Sequence, residues 1–333
     1  MSALPQYGRH LHPQATMRAV VIDRYGGPEV LRPTSVPRPV PTRRQVLVRT
    51  RFIGVNPKDV IVRKGKFKVA TGTKFPLIVG HDIAGEVIEA GLGADLAEGD
   101  VVYGMINDFA GRAYSEYAAV DCRQLARAPS SVELRVAAAV PLAAQTALQA
   151  LRDDAQLKPK QKVLINGASG GVGVFAVQIA KILGVEVTAV CSHRNVELVQ
   201  ELGADHVIDY TKTELVDLDE SFDAIFDVFG NYRFDRLRHL LNSRGTYVQT
   251  IPSARIFKDI ARTLVRRQRA KLVVVRSRRA QLDWLRQQID AGRLRVVVDR
   301  SFALDDAAEA HRYMETKRAR GKVVLEVGEP SRG

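Results

Sequence analysis

The sequence predicts a two-domain α/β protein, a β-rich and partly closed barrel joined to a doubly wound parallel sheet. Three observations predict it. Short apolar strands broken by Gly-rich bends fill residues 17–135. From residue 162 onward, apolar strands alternate with amphipathic helices. A glycine-rich loop joins the first of those strands to the first of those helices. With 333 residues, 46% of them apolar, the chain has material for about two domains and is not a disordered polymer.

The elements follow in order. MRAVVID (17–23) reads as a short strand. RPTSVPRPVP (32–41) is neither regular helix nor central strand, because each proline lacks a backbone donor. QVLVRTRFIGVN (45–56) sets Val46, Val48, Thr50 and Phe52 opposite Leu47, Arg49, Arg51 and Ile53, the alternation of a half-buried strand. Further strands are expected within 75–91, 99–104 and 114–120, with glycines at the bends. At residue 136 the texture changes. VAAAVPLAAQTALQAL (136–151) is expected to be helical in its second half, with Pro141 in a first turn. KVLIN (162–166) is followed by a helix over 172–183 that buries Val172, Ala176, Ile179, Ala180 and Leu183. Strands are then expected at 186–191, 206–210, 224–229, 246–250 and 271–275, and 296–327 returns to strand–helix–strand. The domain division expected is 17–135 together with 297–333, then 136–296, with 1–16 a flexible extension.

Composition narrows the function classes. No apolar run approaches the ~18–20 residues of a membrane span, so no transmembrane segment is expected. Residues 1–16 lack an apolar signal core and carry one Arg and two prolines, which points to a cytoplasmic address. Cys122 and Cys191 form no CxxC pair and read as two reduced thiols. The net charge is +13, yet residues 251–300 alone hold 14 Lys/Arg against 4 Asp/Glu. Within that stretch, RIFKDIARTLVRRQR (255–269) places Ile256, Ile260 and Leu264, with Phe257, Ala261 and Val265, on an apolar side of a helix. Lys258, Arg262, Arg266 and Arg269 share another side. The expectation is a helix packed on its own domain with its charges in water; a basic amphipathic helix on an anionic membrane surface fits the same pattern. With Phe257 its one interior aromatic, the segment lacks a base-stacking platform, so specific nucleic-acid recognition is not expected.

The loop carries the most chemistry. In KVLIN–GASGGVG–VFAVQIAKILG, Ala168, Gly170 and Gly173 form an AxGxxG spacing with an extra Gly171. Small residues there allow a tight turn, backbone approach to a pyrophosphate and close packing of helix on strand. Ala168, Ser169, Gly170, Gly171 and Val172 are the candidate phosphate-binding positions. An NAD site wants an acid at the end of the second strand for the ribose hydroxyls. Here Cys191-Ser192-His193-Arg194 offers none before Glu197. Ser192 is expected to donate to a 2′-phosphate, Arg194 to supply a charged fork, and Tyr210 to flank the adenine. NADPH is therefore the expected cofactor; the competing reading leaves Arg194 pointing to water.

GVNPKD (54–59), GHDIAGEVIEAG (80–91), GDVVYG (99–104), PLAAQTAL (141–148), ASGGVG-x4-Q-x2-K (168–181), LGADHVIDY (202–210) and ARGKVVL (319–325) together resemble the medium-chain dehydrogenase/reductase superfamily. Within it the chain is most similar to the zinc-free quinone oxidoreductases of the reticulon-interacting oxidoreductase branch, over residues 17–327. The resemblance implies a GroES-like β-barrel domain plus a doubly wound Rossmann domain, with the active site in the cleft between them. It implies that Asn56 lies near the nicotinamide and substrate, that Thr146 contacts the nicotinamide side, and that Lys322 lies near the cofactor. Tyr103 joins Asn56 as a candidate catalytic group, with Lys58 and His81 as further polar groups near the cleft. Zinc-dependent members place Cys where this chain has Asn56, His at His81 and Cys near Ala143, so two ligands are missing and no metal is expected. Lys160 departs from the usual glycine and is assigned to a surface turn. Enoyl-thioester reductases of the superfamily carry a tyrosine where this chain has Phe67, which lowers that reading.

Without a Lewis acid to stabilise an alkoxide, hydride delivery to a quinone or another conjugated carbonyl is the easier reaction, because conjugation spreads the charge. The alternatives are reduction of an enone or alkenal double bond, reduction of an aldehyde, or a cofactor-binding protein whose basic segment holds nucleic acid or an acidic surface. A homodimer is implied by the resemblance.

Overall fold

Residues branched at Cβ recur through the first 130 positions, and such side chains fit the pleated surface of a sheet. The computed structural model describes residues 15–328, so nearly all of the expected extension 1–16 lies outside the described residues. It forms β1 (Thr16–Ile22), β2 (Arg32–Pro37), β3 (Gln45–Val55), β4 (Leu77–Ile78), β5 (Asp82–Ala90), β6 (Val101–Met105), β7 (Tyr117–Asp121) and β8 (Leu125–Arg127). A small sheet runs β2-β1-β4, and the proline-rich β2 is confined to its edge, where missing donors cost no ladder bond. The larger sheet has β3 at its centre, flanked by β5 and β7. Val20 N–H donates to the Tyr114 carbonyl at 2.9 Å and Glu116 N–H to the Arg18 carbonyl at 3.0 Å, tying the two sheets together.

The half-buried alternation expected of β3 is not what forms. Val46, Leu47 and Val48 are all buried. Register shifts at Leu47/Val48 and Thr50/Phe52 rotate successive side chains out of strict alternation, and neighbours cover the strand on both edges.

The second domain is built on β9 (Lys162–Asn166), β10 (Glu186–Cys191), β11 (His206–Asp209), β12 (Phe222–Asp227), β13 (Leu241–Gln249) and β14 (Arg269–Leu272). All pair in parallel, in the order β11-β10-β9-β12-β13-β14. The direction of winding reverses beside β9, so the carboxyl ends of β9, β10 and β12 open a crevice. The helix Gly173–Ile182 buries Ala176, Ile179 and Ala180 completely, whereas Val172 and Leu183 lie at its partly exposed margins. The strand expected at 271–275 instead starts at Arg269 and stops at Leu272. Lys160 is exposed on a turn and adopts φ +70°, a conformation natural to glycine. Cys122 and Cys191 are buried and unpaired. Among the described residues no helix is long and apolar enough to cross a membrane.

The chain then returns to the first domain. β15 (Val298–Ala303) pairs with β16 (Lys322–Glu326), and β16 lies antiparallel to β3, with Val323 opposite Val55. Between the domains Ser277 is a knot: its hydroxyl donates to Gln124 O at 2.9 Å and its N–H to Asn107 Oδ1 at 2.8 Å. Tyr103 belongs to this interface too. It is fully buried and its hydroxyl donates to the Leu282 carbonyl at 2.6 Å, so it ties the domains and is withdrawn as a catalytic candidate. Tyr103→Phe is expected to cost about 1 kcal/mol of stability in urea unfolding and to leave nicotinamide binding unchanged by fluorescence titration.

Candidate active site

The glycine-rich loop leaves β9 through Gly167, at φ +85°. A Cβ on Gly173 would sit 2.1 Å from the Gly167 carbonyl oxygen, so the helix start rests directly on the strand's exit. Gly170 differs: a Cβ there would meet only the Gly167 oxygen at 3.5 Å, and the loop's outer surface stays open. Ala168 is fully buried with its N–H donated to Val190 O at 3.0 Å; it shapes the loop rather than offering a donor. Ser169 Oγ accepts from Asn195 Nδ2 at 2.9 Å, and Ser169 O accepts from Gly321 N–H at 3.1 Å. Gly171 lies against Gly321 and the Lys322 stem, 3.2 Å from where its Cβ would be. Val172 precedes the helix, whose leading N–H groups lack in-helix partners as at any helix start.

Ser192, Arg194 and Tyr210 gather at the carboxyl ends of β10 and β11. The Ser192 carbonyl accepts from Asn195 N–H at 2.9 Å, and Tyr210 N–H donates to Cys191 O at 3.2 Å. Arg194 is exposed and makes no hydrogen bond or ion pair with a described residue. The nearby acid, Asp209, accepts at Oδ1 from Thr211 N–H (3.0 Å) and Thr211 Oγ1 (2.7 Å). Asn195, unnoticed in the sequence, links this turn to Ser169 and leaves its own Oδ1 buried without a partner, an open acceptor beside the glycine-rich loop. The residues present fit a dinucleotide.

The other wall is a buried polar cluster, and topology explains it. Asn56 follows β3, Asp82 opens β5 and Lys322 opens β16; because β5 and β16 flank β3, the three side chains meet at the strand ends. They are 1%, 0% and 3% exposed. Asn56 Oδ1 accepts from Lys322 Nζ at 2.5 Å, and its Nδ2 donates to Asp82 Oδ2 at 3.0 Å and Gly54 O at 3.2 Å. Lys322 Nζ also donates to Val55 O at 3.3 Å and lies 3.5 Å from Asp82 Oδ2. Asp82 Oδ1 accepts from Leu142 N–H at 2.8 Å. Burial pushes the Asp82 carboxyl up to about 6 against the pull of Lys322, and burial lowers Lys322 against the pull of Asp82. Neither acid, Asp82 or Asp59, stood out in the sequence; Asp82 meets Asn56 from 26 positions away and Asp59 meets His81 from 22. Thr146 turns its hydroxyl back onto its own helix, donating to Leu142 O at 2.7 Å.

Behind this cluster, Asp59 Oδ2 accepts from Asn56 N–H at 2.8 Å and Asp59 Oδ1 faces His81 Nδ1 at 2.5 Å. Burial pushes the Asp59 carboxyl up, but the His81 bond, the nearby His81 and His311 and the Asn56 N–H together hold it below its usual value. His81 Nε2 faces the Phe109 carbonyl at 3.2 Å. Both ring nitrogens thus face oxygen atoms of the protein. Asn56 and Ala143 supply no thiolate or imidazole, and among the described residues no three His, Cys, Asp or Glu converge on one point. The donor set does not fit zinc. Lys58 is half-buried, which lowers its ammonium, and Phe67 packs on the first domain's core near Phe109.

A phosphate loop at the crevice of one domain and a dry polar wall on the other define an NAD(P)H-dependent oxidoreductase. Residues 42–130 match the alcohol dehydrogenase GroES-like domain, and residues 202–325 the zinc-binding dehydrogenase domain. The chain is 32% identical to the chloroplastic quinone-oxidoreductase QR1 of Triphysaria versicolor, covering 93% of this chain and 98% of that one. It is 35% identical to a chloroplastic NADPH-dependent alkenal/one oxidoreductase of Arabidopsis thaliana (93% and 79%). It is 33% identical to the mitochondrial NAD(P)H oxidoreductase RTN4IP1 of Homo sapiens (95% and 90%). A quinone oxidoreductase structure from Coxiella burnetii superposes with a TM-score of 0.88 at 29% identity, over 94% of this chain and all of that one. The chain belongs to the medium-chain dehydrogenase/reductase superfamily, in its quinone-oxidoreductase-like group and the branch that holds the RTN4IP1 oxidoreductases.

Below pH about 6, Asp82 takes up a proton and Lys322 loses its counter-charge. Turnover is expected to fall along an acid limb centred near that value, and Asp82→Asn to abolish the limb in a pH–rate profile. Linkage separates this from acid unfolding. A carboxyl whose folded pKa is raised contributes stability that is complete below its unfolded value of about 4 and is lost as pH rises through about 6. Thermal melts from pH 7 to 5 should therefore show no loss of stability from this group.

Proposed function

We propose that this chain is a zinc-independent reductase that uses NADPH to deliver a hydride to a quinone or a related conjugated carbonyl, as a cytoplasmic homodimer. The observation that carries the reading is the Lys322 ammonium, buried against the glycine-rich loop and held by Asn56 in a wall with no metal ligands. The bound nicotinamide supplies the hydride. The chain's part is position and charge: Asn56, its amide hydrogens committed to Asp82 and Gly54, is a positioning residue that orients Lys322. The positive charge beside the loop favours an anionic cofactor and the negative charge that develops on the acceptor. Delocalisation over a conjugated acceptor replaces the missing Lewis acid, and solvent delivers the proton. Arg194, unpaired at the end of β10, supports the 2′-phosphate assignment. Reduction of an enone or alkenal double bond is the second reading, favoured by the 35% identity to the alkenal/one oxidoreductase.

Following NADPH oxidation with quinones, enones and saturated aldehydes in parallel tests the assignment. Quinones are expected to be the fastest acceptors, and turnover of saturated aldehydes alone would overturn it. Activity is expected to survive exhaustive chelation, with no stoichiometric zinc by elemental analysis. Arg194→Glu is expected to weaken NADPH about tenfold to a hundredfold, the worth of a charge-assisted hydrogen bond, while NADH affinity changes little. Equal losses for both cofactors would remove the NADPH preference from the reading.

A further inference from the structure

Part of the basic stretch of the second domain lies on one helix, Ala254–Thr263, and on the turn that follows it. Ser253 Oγ accepts from Ile256 N–H at 3.3 Å at its start, and Arg269 donates to the Thr263 carbonyl at 2.8 Å at its end. The helix is therefore shorter than the 255–269 expected from the sequence, and its apolar side divides. Ile256, Asp259 and Thr263 are buried toward the domain, and Ile260 is half-buried. Phe257, Leu264 and Val265 are 56%, 66% and 93% exposed. With exposed Ala261 they fall at i, i+4, i+7 and i+8, one outward stripe carried into the turn after the helix. Of the eleven large apolar residues exposed among the described residues, these are three within nine positions.

Lys258, Arg262 and Arg266 run beside that stripe at intervals of four, with Arg255 and Arg267 at its ends; all five are exposed. None makes a hydrogen bond or ion pair with a described residue, and only Arg255 and Arg262 feel buried Asp259 at longer range. A groove of about 970 Å³ beside the helix, lined by Ile260, Thr263 and Leu264, carries Lys158 and Arg244 together with Asp154 and Asp223. A cationic face carrying an apolar stripe matches the layering of an anionic bilayer surface, phosphates outside and acyl chains just beneath.

We propose that this face docks the protein on an anionic lipid surface. Phe257, Leu264 and Val265 enter the headgroup boundary, and the five cations meet lipid phosphates. A second copy of the chain is a poorer occupant, because a two-fold interface would set the same five cations against themselves.

The test is co-flotation of the full chain with phosphatidylcholine vesicles made with and without phosphatidylglycerol. Binding is expected only with the anionic lipid and should weaken as salt rises. Each basic residue near such a surface is worth about fivefold, so Arg262→Glu with Arg266→Glu should lower binding by at least about twenty-fivefold. Phe257→Ser with Val265→Ser should weaken vesicle binding while leaving thermal melting, NADPH binding and oligomeric state by light scattering unchanged. Three results would each overturn the proposal: equal binding to neutral vesicles, displacement by inorganic phosphate or duplex DNA at an ionic strength where sodium chloride leaves the vesicles bound, and an apolar variant that changes oligomeric state but not vesicle binding.

Discussion

The structure depends on a positive charge kept where water does not reach. Isolated ions resist burial, and Lys322 is held only because Asn56, Asp82 and the Val55 carbonyl meet it at the ends of three neighbouring strands. That requirement propagates. β16 must lie beside β3 to deliver the lysine, and β5 must lie on the other side to deliver the carboxylate. Asp82 also holds Leu142 N–H, so the same acid anchors the first turn of the helix Pro141–Leu148.

A second layer keeps the first in place. Asp59 holds the Asn56 backbone and His81 together, and Tyr114 bridges toward His311, whose imidazole burial lowers to about 4. At neutral pH His311 is thus an uncharged partner for the Tyr114 hydroxyl. His81 serves in that layer too, between the Asp59 carboxylate and the Phe109 carbonyl.

What the sequence disclosed follows from how local the signals are. β9, the loop and the next helix were legible because strand length, glycine spacing and helical periodicity lie within some twenty residues. Ser192, Arg194 and Tyr210 were legible because strand ends in a doubly wound sheet share one edge. Asp82 was not, since only long-range pairing shows that it touches Asn56, and Asp59, although three residues from Asn56, meets His81 only through the fold. Tyr103 misled for a related reason: its neighbours in sequence are cleft motifs, but its hydroxyl reaches Leu282, 179 positions away. The basic helix ran on in the sequence because Leu264 and Val265 continue its apolar rhythm, while Arg269 closes it in space.

The return of β16 to β3 also sets an order of events during synthesis. The first sheet lacks two strands until the whole second domain has left the ribosome, because Val298–Ala303 and Lys322–Glu326 are made after it. Until then one edge of β3 near Asn56 stands open, and an unpaired edge is a template for wrong pairing. The second domain, whose six strands are contiguous in the chain, can close its sheet first. The nascent protein therefore completes its cofactor-side domain before the wall that faces it, and the last strand to arrive brings the lysine with it.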